Sequence, residues 1–253
     1  MSVRKVRGRR GWAVNFAAAT IKPTMRAVTA RTWIDGEKIP ATGGCIVVAN
    51  HVSHLDPLLT AYFVYDHGRI PRYLAKSGLF RTRFVGQVLS SANQIPVERL
   101  SKDAVGAYAA AVQAVNDGEC VVVYPEGTLT RDPDLWPMTG KSGAARIALA
   151  TGAPVIPIGH WGVQDILYPY ASRPHLFPRK HVTMKAGDPV RIDDLRAQPI
   201  TARIVNETTD RIMSAITGIV AELRDEEPPV ERFDPRKAGV QQTGNPNRKK
   251  ERP

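Results

Sequence analysis

His51 and Asp56 stand five residues apart in Asn50-His51-Val52-Ser53-His54-Leu55-Asp56, directly after the apolar run Cys45-Ile46-Val47-Val48-Ala49. A neutral histidine that gives one ring N–H to a carboxylate keeps its other nitrogen as an acceptor, and that nitrogen can take a proton from a hydroxyl. The nucleophile then comes from the substrate rather than the protein. Five residues of helix turn through roughly 140°, so the two side chains meet only across a bend. Pro57 offers one. A helix opening at Pro57, with Asp56 as its cap and Leu58, Leu59, Tyr62 and Phe63 on a helical period, leaves His51 in the loop and Asp56 at the helix mouth. The same residues also read as an ordinary Asp-Pro helix start beside a loop histidine, so the pair alone fixes no activity.

Two further polar turns follow apolar runs, and one more block is itself apolar. Ile95-Pro96-Val97-Glu98-Arg99 ends on a guanidinium, whose planar fork can hold two phosphate oxygens, although Arg99 could equally be a surface residue paired with Glu98. Tyr124-Pro125-Glu126-Gly127-Thr128-Leu129-Thr130-Arg131 closes the run Cys120-Val121-Val122-Val123, and Gly127 permits close backbone approach to a ligand. The fourth block is Val155-Ile156-Pro157-Ile158.

In this order and spacing the four blocks resemble those of the phospholipid-synthesis acyltransferases, the 1-acylglycerol-3-phosphate and glycerol-3-phosphate acyltransferases; the likeness covers about residues 40 to 190. The resemblance implies acyl transfer from a thioester to the free hydroxyl of 1-acyl-sn-glycerol 3-phosphate, giving phosphatidic acid, with glycerol 3-phosphate as the alternative acceptor. It makes His51 the base and Asp56 its partner. It places Asn50, Ser53, Lys76, Arg99, Glu126, Gly127 and Thr128 among the candidate substrate contacts and Pro157 as a site-shaping residue. Ser53 also reads as a loop or capping hydroxyl, and Lys76 as a solvated lysine. The family's glutamate-glycine-threonine turn continues with arginine, whereas here Leu129 stands in that place. Arg131, two residues on, is the candidate replacement, and Lys141 before Ser142-Gly143 adds a second charge at a helix mouth. No cofactor or metal is implied; the co-substrate is a thioester of coenzyme A or acyl carrier protein.

These turns need a scaffold of strand ends. Apolar runs at 45–49, 72–75, 94–97, 120–124, 155–158 and 181–186 alternate with helical patterns from Pro57, over 103–115 and over 143–150. That alternation predicts an α/β fold, a single domain with a mostly mixed or parallel sheet flanked by helices, preceded by an N-terminal helical segment. Ile204, Ile212, Ile216, Ile219, Val220 and Leu223 predict a long final helix. The divisions are 1–35, a basic and apolar helical segment for membrane contact; 36–226, the acyltransferase domain; and 227–253, a basic tail expected to be mobile.

The 253 residues carry 35 Lys and Arg against 24 Asp and Glu, a formal charge of +11, which calls for an anionic partner. Specific nucleic acid is disfavoured because the basic ends lack interleaved aromatic residues, although a non-catalytic basic membrane- or nucleic-acid-binding protein is the rival class. Neither His-Glu-x-x-His nor a cysteine-histidine ligand set occurs, and no serine sits in a Gly-x-Ser-x-Gly elbow. Cys45 and Cys120 each open an apolar run, which fits buried thiols in a reducing compartment. Trp12, Val14, Phe16, Ala17, Ile21, Met25 and Val28, bordered by Arg4, Lys5, Arg7, Arg9, Arg10 and Arg26, predict a short interfacial helix pair, and Leu79 to Val85 interleaves apolar and basic residues in the same way. Both stretches point to peripheral attachment to an anionic membrane surface, on its cytoplasmic face.

Overall fold

Cys45–Ala49 and Cys120–Val123 are apolar without alternation, the pattern of strands covered on both faces, and they lie side by side in the middle of one sheet. The computed structural model describes residues 4–6, 11–97 and 104–241. Helix α1 (Trp12–Val28) runs directly into strand β1 (Thr29–Ile34), and β2 (Cys45–Ala49) leads to α2 (Asp56–Asp66). Next come β3 (Pro71–Lys76), the short helices α3 (Ser77–Phe80) and α4 (Arg83–Ser91), and β4 (Ile95–Val97). The second half holds α5 (Ala104–Asn116), β5 (Cys120–Val123), α6 (Gly143–Thr151), β6 (Val155–Trp161), β7 (Lys180–Ala186), α7 (Asp193–Arg196) and α8 (Ala202–Arg224).

Among the described residues the sheet has seven strands in the order β1-β7-β6-β2-β5-β3-β4. The pairs are parallel except β6 with β7, which is the predicted mixed sheet. As a result β2 to β6 all end at one edge, where the loops of an α/β sheet gather for chemistry.

Side chains alternate across a strand, and β2 divides accordingly. Ile46 and Val48 join α5, α6 and α8 in one apolar layer, while Cys45, Val47 and Ala49 join α1 and α2 in the other. Helix α8 begins with Thr201, whose side chain accepts from the Ile204 N–H, and crosses β6 at Gly159. A Cβ there would sit 2.5 Å from Ile219, so only glycine lets this helix lie down on the sheet.

Three expectations change. Among the described residues the N-terminal segment holds one helix rather than a pair, because the chain continues through Pro23. Ala19 and Pro23 lie on the exposed side, where the carbonyl that loses its partner meets water. Thr29–Ile34, assigned by sequence to that same segment, is instead strand β1 paired with β7. Finally, residues 228–241 of the tail have no helix or strand but lie against the body. The Thr139 N–H donates to Phe233 O, Arg232 bonds Asp210, and Pro235 is buried.

Candidate active site

Strand β2 delivers its chain to the sheet edge at Asn50, and the amide side chain there extends the β2–β6 pairing by one step. Asn50 Nδ2 donates to the His160 carbonyl at 3.0 Å, and its Oδ1 accepts the His160 N–H at 3.0 Å. His160 Nε2 returns a bond of 2.9 Å to the Asn50 carbonyl. A carbonyl only accepts, so Nε2 carries the proton. Burial pushes this imidazole's pKa down and favours its neutral form. Asn50, a candidate substrate contact in sequence, is therefore scaffold: it is 1% exposed with both amide atoms committed.

His51 follows. Its Nδ1 lies 2.8 Å from Asp56 Oδ2, and the same oxygen accepts the Val52 and Ser53 N–H groups at 2.7 and 2.8 Å. This geometry pairs the two side chains across the bend. Asp56 does not cap the helix, since α2 begins at Asp56 itself with Leu55 at the cap position. Its carboxylate turns back onto the loop and gathers three donors, and the helix N-terminus adds a favourable field for its charge. With Nδ1–H given to Asp56, His51 keeps Nε2 as an acceptor. The ring plane is held by stacking on Tyr124 with centroids 4.3 Å apart, and the Tyr124 hydroxyl donates to Thr60.

The main chain of His51 is fixed by the turn that follows β5. Glu126 Oε1 accepts the His51 N–H at 3.0 Å, and the Thr130 N–H donates to the His51 carbonyl at 2.7 Å. Glu126 Oε2 accepts from the Met138 N–H at 3.1 Å. Glu126, 2% exposed, is thus corrected from substrate contact to clamp, with each oxygen holding one backbone N–H. Its burial raises the carboxyl pKa to about 8 against the opposing pull of the Met138 and His51 N–H groups. Ser53 is likewise structural, fully buried with its hydroxyl donating to the Leu167 carbonyl. Pro157 is buried inside β6 opposite Val48.

Gly127 has φ +68, a region that favours glycine, and Lys141 folds across it so closely that a Cβ would meet Nζ at 2.9 Å. The turn therefore carries the Lys141 side chain where both residues line the cavity. The Thr128 hydroxyl lies 3.4 Å from that of Tyr170, and the Arg131 guanidinium sits over the Tyr170 ring at 5.5 Å. Lys76 ends β3 opposite Val97. Arg99 lies outside the described residues.

His51, Gly127 and Lys141 line a cavity of about 990 Å³ whose other walls are mainly apolar. Val14, Ala17 and Ile21 of α1 face Leu58 and Ala61 of α2 and Leu74 of β3 across it. A long alkyl chain fits such a space, with its polar end brought to the His51 ring. Sequence reasoning missed Tyr124 as the stacking partner, His160 behind the base, Tyr170 beside Arg131, and Arg236, which also lines the cavity. Tyr124 was legible, because an aromatic opening a polar turn stands next to the strand that carries the base. Among the described residues no three His, Cys, Asp or Glu side chains gather to hold a metal ion.

The family model described as Acyltransferase matches residues 31–161. A chloroplastic Brassica napus protein named 1-acyl-sn-glycerol-3-phosphate acyltransferase is 32% identical over 140 residues, or 54% of this chain and 39% of its own length. A Borreliella burgdorferi protein of the same name is 33% identical over 123 residues, 48% of this chain and 47% of that one. The match thus spans less than half of each relative. The crystal structure of the 1-acyl-sn-glycerophosphate acyltransferase of Thermotoga maritima shares the fold, with a TM-score of 0.60 at 21% identity over 85% of this chain and 84% of that one.

Proposed function

Because the chain belongs to the acyltransferase family, we propose that it moves a fatty acyl group from an acyl thioester to the free hydroxyl of 1-acyl-sn-glycerol 3-phosphate, forming phosphatidic acid. The observation that carries this reading is the His51–Asp56 pair on the wall of an apolar cavity large enough for an acyl chain, beside the Lys141 ammonium. His51 Nε2 takes the proton of the acceptor hydroxyl as its oxygen attacks the thioester carbonyl. The C–S bond then breaks, and the leaving thiolate takes the proton back from the imidazolium. Asp56 holds the ring and steadies its transient charge. The donor is a thioester of coenzyme A or acyl carrier protein, and no metal takes part.

Arg131, Lys141 and, from its sequence block, Arg99 are the proposed holders of the acceptor's phosphate. Val97, the last residue of β4, lines the cavity. The test pairs two donors, acyl-CoA and acyl-acyl carrier protein, with two acceptors, 1-acylglycerol 3-phosphate and glycerol 3-phosphate. Turnover with the first acceptor is expected; turnover only with the second would move the protein one step earlier, and none with either would end the proposal. In the same assay Arg131→Ala should raise the acceptor KM roughly ten- to hundredfold, the worth of a charge-assisted contact. An equal change for an acceptor without phosphate would sink that assignment.

The substrates are amphiphiles, and a face of the protein suits a bilayer. Trp12 and Phe16 on α1 are 56% and 41% exposed, and Phe84 on α4 is 61% exposed. The Phe16 and Phe84 rings meet edge to face at 5.9 Å, joining the two helices into one apolar patch. Among the described residues no helix is long and apolar enough to cross a membrane. Peripheral docking on an anionic surface follows as part of the proposal, and the net positive charge and buried thiols Cys45 and Cys120 fit the cytoplasmic face. Helix α1 also supplies Met25 and Val28 to the core, so deleting it would disturb the fold, and point changes are the cleaner probe. Co-sedimentation with anionic vesicles should weaken in high salt without vanishing, because salt screens the charges and not the rings. The double variant Trp12→Ser, Phe84→Ser should lose the salt-resistant part; unchanged binding at high salt would place the membrane contact elsewhere.

A further inference from the structure

The stretch that follows α8 has no helix or strand, yet it is fastened to the body at successive residues. The Arg232 guanidinium bonds the Asp210 carboxylate and carbonyl and the Ser214 hydroxyl on α8. The Phe233 carbonyl accepts the Thr139 N–H at 3.0 Å, and Pro235 is buried. Asp234 then opens a single tight turn, in which its carboxylate accepts the Arg236 N–H at 2.8 Å and its carbonyl accepts the Ala238 N–H. Ordering such a chain costs conformational entropy at every residue, so these anchors act together to hold the strap in one place.

What the strap places is Arg236. This residue lines the cavity that His51, Gly127 and Lys141 also line, and it is exposed, so it stands at the opening rather than in the apolar depth. Among the described residues three lysine or arginine side chains line that cavity, those of Lys22, Lys141 and Arg236. Lys22 is paired with Asp66 at 2.7 Å, and Lys141 folds across Gly127. No hydrogen bond or ion pair from the described residues engages the Arg236 guanidinium, because the neighbouring Asp234 carboxylate holds its main-chain N–H instead.

We infer that Arg236 binds a phosphate ester of a substrate at the mouth of the cavity, so that the strap behind α8 completes the active site. This rests on the acyl-transfer reading above, in which the acceptor and a coenzyme A donor both carry phosphate. An alkyl chain in the apolar interior leaves its charged end at the opening. There a planar guanidinium presents parallel N–H groups to phosphate oxygens, a geometry that a lysine ammonium does not reproduce.

The experiment measures acyl transfer by the full-length protein to a short-chain, water-soluble 1-acylglycerol 3-phosphate without vesicles, so that surface charge cannot act through membrane binding. In variants that melt with the parent, Arg236→Ala should raise the acceptor KM roughly tenfold, Arg236→Glu further, and Arg236→Lys only about threefold. Arg232 lines no part of the cavity. Arg232→Ala should nevertheless raise the same KM about threefold by loosening the strap, and should add nothing to Arg236→Ala in the double variant. Additive losses would overturn the part assigned to the strap. A second arm compares acyl-CoA with the acyl thioester of N-acetylcysteamine, which has no phosphate. A KM rise confined to acyl-CoA supports the proposal with the donor as the source of the phosphate, whereas equal rises for the two thioesters and none for the acceptor overturn it. Unchanged KM values for acceptor and donor in folded Arg236→Ala and Arg236→Glu also overturn it. If the unaltered protein transfers no acyl group, the acyl-transfer reading falls and takes this inference with it; an active parent with indifferent variants removes Arg236 alone.

Discussion

Replacing His51 by alanine is expected to lower turnover by on the order of 10²–10⁴, the usual worth of a general base, with little loss of stability. The second half of that statement follows from the site. Asp56 Oδ2 keeps the Val52 and Ser53 N–H groups when the imidazole is gone, so the buried carboxylate is not stranded. Asp56→Asn should reduce turnover by a smaller factor. Its amide oxygen can still accept from the loop, but the uncharged partner no longer steadies an imidazolium. The check is single-turnover acyl transfer on variants whose melting temperatures match the parent; near-normal transfer by folded His51→Ala would disprove the mechanism.

The second large effect should come from a residue that touches no substrate. Glu126→Gln sets an amide NH₂ against one of two backbone N–H donors, that of His51 or that of Met138. A displacement of the His51 main chain by about 1 Å can cost about 10² in rate, and a loss approaching that is expected. The pH dependence of stability gives an independent reading. The carboxyl pKa is raised from 4.5 to about 8 in the folded protein, so between those values the folded state binds more protons than the unfolded one. Stability from this group is full below about pH 4.5 and is lost as pH rises through about 8, with a slope of at most about 1.4 kcal/mol per pH unit. Urea denaturation at pH 6 and pH 8 should show this fall in the parent and a smaller one in Glu126→Gln. Equal falls would mean that Glu126 is ionised throughout.

Much of the scaffold is legible because it is local. Unbroken apolar runs mark β2, β5 and β6, and Pro57 marks the start of α2 next to the base. Strand β1 escapes, since Thr29–Ile34 follows α1 without a turn residue to separate them. The site divides along the same line. His51, Asp56, Gly127 and Lys141 can be found from residue type and spacing. What Glu126 does cannot, because a glutamate in a polar turn looks solvated until the strand 75 positions earlier in the chain brings the His51 N–H to it. His160 and Tyr170 are invisible for the same reason: a histidine in a core strand and a tyrosine in a loop acquire meaning only through partners from distant segments.

The lock between Asn50 and His160 also bears on when the protein first becomes competent. The two residues are 110 positions apart, and Ser53 waits for Leu167 across 114. Contacts that distant close late in folding, because the intervening chain must first surrender its freedom. On the ribosome, the segment carrying His51 and Asp56 leaves the exit tunnel long before β6 has been synthesised. During that interval the His51 main chain lacks the clamp that Glu126 and Thr130 supply, so the base is not yet held in its working position.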